Sequence, residues 1–271
     1  MAQQMAQQME QQMEHEGRTA IVTGGAGGLG EAIGMALAAE GAAIAVTDVD
    51  RDAAGATAAR ITEKGGRALA IEADVSTKQS VVAMVEQTVD VLGGVDILVN
   101  NAGIQHVAPL VDYPLERWER LIGVMLTGTF LCTQAAVRVM IGRGGGSIVN
   151  ISSTLGRQGA THKSAYTAAK HGIVGLTRSN ALELAEHDIR VNAVCPGITQ
   201  TPLVDDQLDD LAAAHGCRRD EVVERVFLSN IPQKRVLEPR EVADCVVFLC
   251  SLKARAFTGQ ALSVAAGAQM P

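Results

Sequence analysis

Short apolar runs alternate with longer amphipathic segments along most of the chain. The runs lie near 19–23, 43–47, 68–72, 96–99, 146–151, 189–194 and 261–264. Short runs that are apolar on both faces are typical of strands in a parallel sheet, and the helical segments between them provide right-handed crossovers. The pattern therefore predicts a single-domain α/β fold, a doubly wound parallel sheet with helices on both faces. In such a sheet a ligand binds across the carboxyl ends of the strands.

A glycine-rich turn follows the first run. Arg18 to Thr23 leads into Gly24-Gly-Ala-Gly-Gly-Leu-Gly30, and an alanine-rich amphipathic segment continues to about Glu40. Glycines at 24, 28 and 30 allow a tight turn, a close approach of the backbone to a pyrophosphate and close packing of helix on strand. The phosphates would then bind free amides at the helix N-terminus. A flexible turn is the alternative, and the strand–turn–helix context favours a dinucleotide site.

Asp48 ends the second apolar run and lies eighteen residues after Gly30. An acid at this distance is expected to bond the adenosine ribose. Its carboxylate accepts from both ribose hydroxyls and repels a 2′-phosphate, which favours NAD over NADP. Arg51 is close enough in sequence to accommodate that phosphate, so NADP stays open as the second choice.

A serine, a tyrosine and a lysine form the candidate catalytic group. Tyr166 and Lys170 are four residues apart, and Ser153 ends the apolar run 147–153. A spacing of four places the phenol and the ammonium on one helix face, where the lysine charge favours the phenolate. Tyr166 is then a candidate general base, with Ser153 holding the substrate oxygen. An ordinary surface helix is the alternative for a tyrosine–lysine pair by itself.

Together these motifs resemble the short-chain dehydrogenase/reductase family over residues 18 to 271, which implies a Rossmann-type sheet and NAD-dependent oxidation of CH–OH groups. The resemblance places the catalytic roles on Ser153, Tyr166 and Lys170. It places cofactor binding on Gly24, Gly28, Leu29, Gly30, Asp48, Asp74, Val75, Asn101, Ala102, Gly103, Tyr166, Lys170, Pro196, Gly197, Thr199 and Thr201. The family is commonly tetrameric, so the resemblance also implies a homotetramer.

Within the family the chain is similar to D-3-hydroxybutyrate dehydrogenases. Three short stretches carry this similarity: 101–109, 162–166 and 201–207. By resemblance, Gln105, Lys163 and Gln207 occupy positions that grip the substrate carboxylate in those enzymes, and one cation with two amide donors suits a small carboxylate. Three unrelated surface residues are the alternative. The implied substrate is a 3-hydroxy or 3-oxo acid.

Some positions depart from that subfamily. Leu155 stands where those enzymes have histidine, and Ile198 and Ala268 stand where they have tryptophan. Smaller or less polar walls predict a pocket for a bulkier acid than 3-hydroxybutyrate. Met125 replaces an asparagine that many relatives use to hold a proton-relaying water, and its backbone carbonyl is expected to substitute if the carbonyl is the essential part.

Three other functions remain open at the level of the sequence. A 3-oxoacyl thioester reductase and a neutral alcohol or sugar dehydrogenase belong to the same family, and Asp48 argues against the first because it disfavours NADPH. A non-catalytic cofactor-binding protein is suggested by Met125 and the altered pocket. The intact Ser153, Tyr166 and Lys170 argue against it.

Composition narrows the partners and the setting. A net charge of −7 without a basic cluster argues against nucleic acid, and no uninterrupted apolar run approaches the about 20 residues of a membrane span. The five cysteines form no C-x-x-C pair, which predicts reduced thiols and a cytoplasmic location. No histidine has metal-ligand spacing, so we predict no structural metal. The expected partner is a small-molecule substrate.

Two segments stand apart from the alternating pattern. Residues 1–17 repeat methionine every four positions and otherwise carry mostly Gln and Glu, which predicts a disordered tail, with a short amphipathic helix as the alternative. Residues 202–235 contain two polar helical stretches broken at Gly216. Their position predicts a lid over the site, with a solvated helical hairpin as the alternative.

Overall fold

Seven parallel strands form the centre of the molecule. The computed structural model describes residues 13–268. The strands are β1 Thr19–Thr23, β2 Ala43–Asp48, β3 Arg67–Glu72, β4 Ile97–Asn100, β5 Gly146–Ile151, β6 Ile189–Pro196 and β7 Ala261–Val264, in the order β3-β2-β1-β4-β5-β6-β7. Every predicted apolar run corresponds to one of these strands. The predicted doubly wound α/β fold is confirmed.

The helices cover both faces of the sheet. They are α1 Gly28–Ala39, α2 Arg51–Glu63, α3 Lys78–Leu92, α4 Leu115–Ile122, α5 Gly128–Arg143, α6 Ser164–Leu184, α7 Pro202–Asp205, α8 Leu208–His215 and α9 Pro239–Cys250. Glycines in the left-handed conformation, Gly93 and Gly144, end α3 and α5. Such residues end helices at little cost because they lack a Cβ.

Alternate residues of each strand supply two separate cores. Ile21 faces the core formed with α3, α5 and α6, whereas Ala20 and Val22 face the core formed with α1, α2 and α9. All three side chains are fully buried. Full burial of a side chain the size of Ile or Val stabilises a fold by roughly 1.5–3 kcal/mol. This two-sided burial explains why the strands read as continuous apolar runs in the sequence.

One long helix is apolar enough to be compared with a membrane span. Leu115–Arg143 runs through α4 and α5 without a break and is long and apolar enough to cross a bilayer by length and composition. It is a core helix here, because Met125, Cys132, Ala136 and Met140 along it are completely or almost completely buried against the sheet side. A π-helical turn, Gly123–Thr127, joins α4 to α5.

The segment predicted as a lid is largely helical and has its own small core. It contains α7, α8 and a π-helical turn, Val223–Phe227, and α8 ends at Gly216 with a positive φ of 62°. Leu211, Val222 and Phe227 pack with Val107 of the loop after β4. The lid therefore rests on the loop that leads toward α4.

The predicted tail is described only from residue 13, and its first twelve residues lie outside the described part. His15 is fully buried, and its backbone amide donates to the Glu40 carbonyl at 2.8 Å. Glu14 pairs with Lys253 beyond α9. Residues 13–17 thus pack between the ends of α1 and α9, held there by the hydrogen bonds of His15 and by the ion pair of Glu14.

Candidate active site

A cavity of about 320 Å³ lies at the carboxyl ends of the strands, beside β1, where the strand order reverses. Predicted residues that line it are Gly24, Gly28, Leu29, Gly30, Asp48, Asn101, Gly103, Ser153, Tyr166, Lys170, Pro196, Gly197, Thr199 and Thr201. Predicted residues outside its lining are Asp74, Val75, Ala102, Gln105, Leu155, Lys163, Ile198 and Gln207. The structure therefore brings the catalytic group and most of the predicted cofactor residues around one space.

The glycine-rich turn is tied tightly to β4. The Asn101 side-chain amide donates to the carbonyls of Thr23 and Gly24, each at 3.0 Å. A Cβ on Gly30 would lie 2.0 Å from the Gly24 carbonyl oxygen, so only glycine fits there. A Cβ on Gly27, in contrast, would meet no atom within 4 Å. The turn is thus closed toward the sheet and open toward the cavity.

Asp48 lies half-buried at the end of β2, beside this turn. Its carboxylate accepts from the backbone amides of Ala26 and Asp50, each at 3.2 Å. These two bonds orient the carboxylate and leave acceptor positions for further donors, since a carboxylate has about four. The N-terminus of α1 has no side-chain cap on its N-cap residue, Gly27. An open glycine turn, uncapped helical amides and an oriented acid fit a dinucleotide with a free ribose diol.

The turn after β6 closes the opposite wall of the cavity. Thr199 donates its hydroxyl to the Gly197 carbonyl at 3.1 Å, and Thr201 donates to the Thr199 carbonyl at 3.3 Å. A Cβ on Gly28 would come within 3.3 Å of Pro202 Cδ. The start of the lid therefore lies against the glycine-rich turn, and the predicted nicotinamide-side residues face the predicted phosphate-side residues.

Ser153, Tyr166 and Lys170 meet at the end of β5. Lys170 is 4% exposed, and its Nζ donates to the Ile151 carbonyl at 2.8 Å. The same Nζ lies 5.4 Å from the centroid of the Tyr166 ring, one helical turn away. Ser153 hydrogen-bonds the Tyr166 hydroxyl, and its Oγ accepts from the Leu155 amide at 3.1 Å. The serine and tyrosine hydroxyls can thus contact one substrate oxygen.

Burial dominates the protonation of this group. It raises the pKa of Tyr166 to about 12, against a smaller lowering by the Ser153 hydrogen bond. It also lowers the pKa of Lys170 to about 8. The expectation that Lys170 lowers the pKa of Tyr166 is therefore not met in the free protein, where burial of the phenol is the dominant cause. A further positive charge beside Tyr166 would favour its deprotonation near neutral pH.

Asp74 is engaged by other residues. Its carboxylate accepts from the hydroxyl of Ser76 at 2.6 Å and from its amide at 2.9 Å, and Arg120 pairs with it at 3.4 Å. The Ser76 hydroxyl is the main cause that lowers the pKa of Asp74. Val75 is buried against Gly128, where a Cβ would meet it at 2.9 Å. The sequence signal for these partners was weak because Arg120 is far from Asp74 along the chain.

Met125 lies in the π-helical turn between α4 and α5 and is fully buried. Its carbonyl accepts from the Thr129 hydroxyl at 2.6 Å. Its sulfur would lie 3.7 Å from a Cβ on Gly103, which places this side chain beside the N-N-A-G stretch. The Met125 side chain therefore fills apolar space. Its backbone carbonyl is the group that could substitute for the asparagine of many relatives.

Two of the three predicted carboxylate-binding residues are in direct contact. Lys163 and Gln207 are each 8% exposed, and Lys163 Nζ donates to Gln207 Oε1 at 2.5 Å. Burial lowers the pKa of Lys163 to about 8, and its Nζ lies 5.8 Å from the Phe227 ring centroid. Gln105 instead uses its Oε1 to accept from the neighbouring His106 amide at 2.9 Å.

The positions that depart from hydroxybutyrate dehydrogenases are partly buried. Ile198 packs against the small core of the lid, and Leu155 follows Ser153 in a short 3-10 turn. Ala268 donates its amide to the Ala265 carbonyl at 2.8 Å. Sequence reasoning missed Leu203 and Val204, which line the cavity from α7. Their position directly after the predicted Thr201-Pro202 turn was the available signal.

Several known proteins are similar to this chain over most of its length. A sequence model described as short chain dehydrogenase matches residues 18–212. An uncharacterized oxidoreductase of Bacillus subtilis is 46% identical over 92% of this chain and 97% of its own length. A D-beta-hydroxybutyrate dehydrogenase of Cupriavidus necator is 42% identical over 90% of this chain and 94% of its own length.

A solved structure extends the agreement to three dimensions. The crystal structure of a short-chain type dehydrogenase/reductase from Mycobacterium marinum superposes with a TM-score of 0.87 at 35% sequence identity, covering 96% of this chain and 98% of that one. Sequence, fold and the grouping of Ser153, Tyr166 and Lys170 in the cavity lead to one conclusion. This chain belongs to the short-chain dehydrogenase family of oxidoreductases.

Proposed function

We propose that the protein transfers a hydride between NAD(H) and a 3-hydroxy/3-oxo carboxylic acid, either 3-hydroxybutyrate or a bulkier analogue. The observation that carries the substrate class is Lys163. This ammonium is almost fully buried at the lid, and its hydrogen-bond partner is the neutral amide of Gln207. Among the described residues, no carboxylate forms an ion pair with it. A buried cation without an anion favours binding of one.

The lid supplies the route by which a carboxylate reaches Lys163. Because Nζ and Gln207 Oε1 are 2.5 Å apart, no carboxylate fits between them. Gln207 lies between α7 and α8 and also donates to the Leu203 carbonyl at 2.9 Å, so it moves with the lid. Substrate binding would separate Gln207 from Lys163 and let both side chains donate to the carboxylate. Charge-assisted bonds of this kind are stronger than the neutral bond they replace.

The proton steps fall to three residues. The oxygen of deprotonated Tyr166 accepts the proton of the substrate hydroxyl as the carbinol hydrogen departs with its electron pair. Ser153 holds the same substrate oxygen, and the Lys170 charge beside the Tyr166 ring opposes reprotonation. Bound NAD would supply the hydride acceptor and the positive charge on its ring that favours the phenolate. In the direction of reduction, Tyr166 gives its proton to the developing alkoxide.

The first experiment compares acids with neutral alcohols. Initial rates of NAD reduction are measured with 3-hydroxybutyrate, longer 3-hydroxy acids and matched secondary alcohols without the carboxyl group. We expect turnover of the acids, with a preference for chains longer than four carbons because Leu155 and Ile198 stand where hydroxybutyrate dehydrogenases carry a polar or larger side chain. Activity on neutral alcohols or thioesters together with silence on every acid would refute the substrate class and retain only the family-level oxidoreductase.

A Lys163 variant tests whether this side chain binds the substrate carboxylate. Lys163→Met keeps the length and apolar stem of the side chain and removes its charge, so KM for the acids should rise by roughly tenfold or more, the loss expected for a charge-assisted bond. KM for neutral alcohols should stay within about twofold. Lys253→Met is the matched control, since this exposed lysine pairs with Glu14 far from the cavity. An unchanged KM for acids in Lys163→Met would exclude the proposed grip.

The cofactor choice in this proposal rests on Asp48. Its carboxylate is fixed by two backbone amides at the end of β2, where it would repel a 2′-phosphate. Asp48→Ser should lower the preference for NAD over NADP by at least about tenfold, because it removes the negative charge that repels the 2′-phosphate. The ratio of kcat/KM for the two cofactors gives the result. A wild-type preference for NADP would contradict this part of the proposal.

The proposal also includes a cytoplasmic homotetramer. Family resemblance supports the tetramer, and the five free cysteines support a reducing compartment. Sedimentation equilibrium of the purified protein measures the subunit number directly. A monomer that retains full activity would remove the tetramer from the proposal without affecting the chemistry.

A further inference from the structure

The glycine-rich turn is held from behind by a side chain on α2. Thr57 is fully buried, and its hydroxyl donates to the Ala26 carbonyl at 3.1 Å. The Ala26 amide donates to Asp48 at 3.2 Å. Ala26 is therefore fixed on both sides. Its amide is bound by the acid predicted to bind ribose, and its carbonyl is bound by a threonine that lies outside the family motifs. This arrangement joins the ribose side of the cavity to its phosphate side.

The hydroxyl of Thr57 is used differently from those of four other helical threonines. A threonine inside a helix commonly donates to the carbonyl four residues earlier. That pattern holds for Thr62, Thr88, Thr129 and Thr177, with donor–acceptor distances of 2.6 to 2.9 Å. Thr57 instead donates across to another element of the fold. Its bond to Ala26 thus replaces a local bond within its own helix.

A charged residue fixes the direction of this hydroxyl. Arg60 donates from Nη2 to Thr57 Oγ1 at 2.9 Å and from Nε to Glu31 of α1 at 2.6 Å. Because the guanidinium can only donate, Thr57 Oγ1 must act as its acceptor and direct its own proton elsewhere. The proton goes to Ala26. The chain Glu31–Arg60–Thr57–Ala26 therefore spans α1, α2 and the glycine-rich turn.

The Ala26 carbonyl determines where the next amide points. All peptide bonds in the described chain are trans, so the carbonyl of Ala26 and the amide of Gly27 point in opposite directions. With the carbonyl directed back to Thr57, the Gly27 amide is directed away from α2. Gly27 lines the cavity, and a Cβ there would meet open space. Thr57 thereby aims a backbone donor into the space that fits the dinucleotide phosphates.

We propose that Thr57, oriented by Arg60, is a positioning residue that presets the glycine-rich turn for the cofactor. It touches neither the cofactor nor the substrate and acts through Ala26. The role rests on the nicotinamide cofactor occupying this cavity and is independent of which alcohol is oxidised. A preset turn binds phosphates without first becoming ordered, so loss of the hydroxyl weakens binding and leaves the chemical step intact.

The test compares three threonine variants of the full chain. Thr57→Val keeps the shape of the side chain and removes the hydroxyl, which leaves the Ala26 carbonyl without its partner. Dissociation constants for NADH and NADPH are measured by fluorescence titration of the wild type and of each variant. Thr57→Val should weaken the tighter of the two complexes by about tenfold, the effect of one lost buried hydrogen bond. Thr57→Ser, which keeps the hydroxyl, should stay within about threefold of wild type.

Thr62→Val is the matched control, because Thr62 lies on the same helix and its hydroxyl bonds within that helix. Its cofactor affinity should equal that of the wild type. KM for the cofactor should rise in Thr57→Val while kcat at saturating cofactor stays within about twofold. If Thr57 only supported the fold, both valine variants would lose thermal stability, and neither would combine a raised KM for the cofactor with an unchanged kcat. Equal affinity of Thr57→Val and wild type would overturn the proposal.

A second readout needs no bound cofactor. Hydrogen–deuterium exchange of peptides covering residues 24–30 should be faster in Thr57→Val than in wild type, and unchanged in Thr62→Val. If Thr57→Val fails to fold, Arg60→Met replaces it. The Arg60 side chain is 44% exposed, so loss of its charge should leave the protein folded. Arg60→Met should speed the same exchange and weaken cofactor binding by about threefold. Unchanged exchange in both variants would refute the role of Thr57, even in a protein that binds neither cofactor.

Discussion

At the scale of single residues, the proton-transfer role proposed for Tyr166 makes both reaction directions depend on its protonation state. Burial raises the pKa of Tyr166 to about 12, so the free protein holds almost all of this residue as the phenol at neutral pH. Oxidation of an alcohol requires the phenolate, whereas reduction of a ketone requires the phenol. The two directions should therefore respond oppositely to pH.

We expect kcat/KM for oxidation to rise with pH between about 6 and 9, up to tenfold per unit, because each unit raises the phenolate fraction. Lys170 has a pKa of about 8, and loss of its charge above that pH should flatten the rise. In contrast, kcat/KM for reduction should not increase over the same pH range. Paired pH profiles of both directions provide the measurement. An oxidation rate independent of pH from 6 to 9 would exclude Tyr166 as the proton acceptor.

Tyr166→Phe removes the proton donor and acceptor and nothing else of the ring. Turnover should fall by at least about a thousandfold, within the range lost with a positioned acid–base group. NADH affinity should change by less than about threefold, since the role proposed for the hydroxyl is proton exchange with the substrate. Activity assays and fluorescence titration of the same preparation separate the two effects. Retained turnover would contradict the assigned role.

At the scale of elements, the fold and the main motifs of the site were predictable, and the contacts between distant segments were not. Both faces of each inner strand are buried, so runs such as Thr19–Thr23 read as strands without ambiguity. The glycine spacing and the Ser153, Tyr166 and Lys170 pattern were equally readable, since local backbone geometry demands them. The Arg120 pairing with Asp74 and the Thr57 contact with Ala26 join distant segments. Such contacts depend on packing angles that no sequence pattern encodes.

The need for glycine at position 30, in the first turn of α1, can be tested by substitution. Gly30→Ala would place a Cβ 2.0 Å from the Gly24 carbonyl oxygen, so the turn or the helix must shift. We expect a loss of about 1–3 kcal/mol in the free energy of unfolding, as for overpacked interiors, together with weaker NADH binding. Chemical denaturation and fluorescence titration measure the two effects.

Gly55→Ala on α2 is the matched control for Gly30→Ala. A Cβ at Gly55 would meet no atom within 4 Å. Because alanine restricts the unfolded chain and favours helix, this change should stabilise the protein by about 0.5–1 kcal/mol and leave NADH binding unchanged. Equal stability of the two variants would mean that the close approach of α1 to the turn is unimportant.

At the scale of the whole molecule, the segment before β1 joins parts that are distant in sequence. Arg18 donates to the carbonyl of Cys250 at 2.6 Å and to that of Asp96 at 3.2 Å. His15 contacts Val247 of α9 through its side chain and Glu40 after α1 through its backbone. Residues 13–18 therefore connect the amino-terminal edge of the sheet to helices of one face. Any change that loosens this segment should lower global stability while leaving the cavity at the opposite edge intact.

The charge state of His15 makes this connection sensitive to acid. Val247 offers a carbonyl that only accepts, at 3.3 Å from Nε2, and Arg18 offers a guanidinium that only donates, at 3.3 Å from Nδ1. Nε2 must therefore carry the hydrogen and Nδ1 must accept, which is the neutral imidazole. Burial is the main cause that lowers the pKa of His15, and Arg18 adds to it, while the hydrogen bond to Val247 and the charges of Glu14 and Glu40 act in the opposite direction.

The consequence for stability follows from linkage. The unfolded chain protonates His15 near its ordinary pKa of about 6.5, and the folded chain only at lower pH. The stabilisation is therefore complete above about pH 6.5 and decreases as pH falls toward the folded-state pKa. His15→Gln keeps a donor for Val247 and an acceptor for Arg18 without a titrating group, so its free energy of unfolding should decline less than that of wild type between pH 7 and 5. Urea denaturation of both proteins across this range measures the difference, with His187→Gln at the surface as the control. Parallel curves for His15→Gln and wild type would contradict the prediction, because they would show that His15 is protonated without cost although Nδ1 then loses its bond from Arg18.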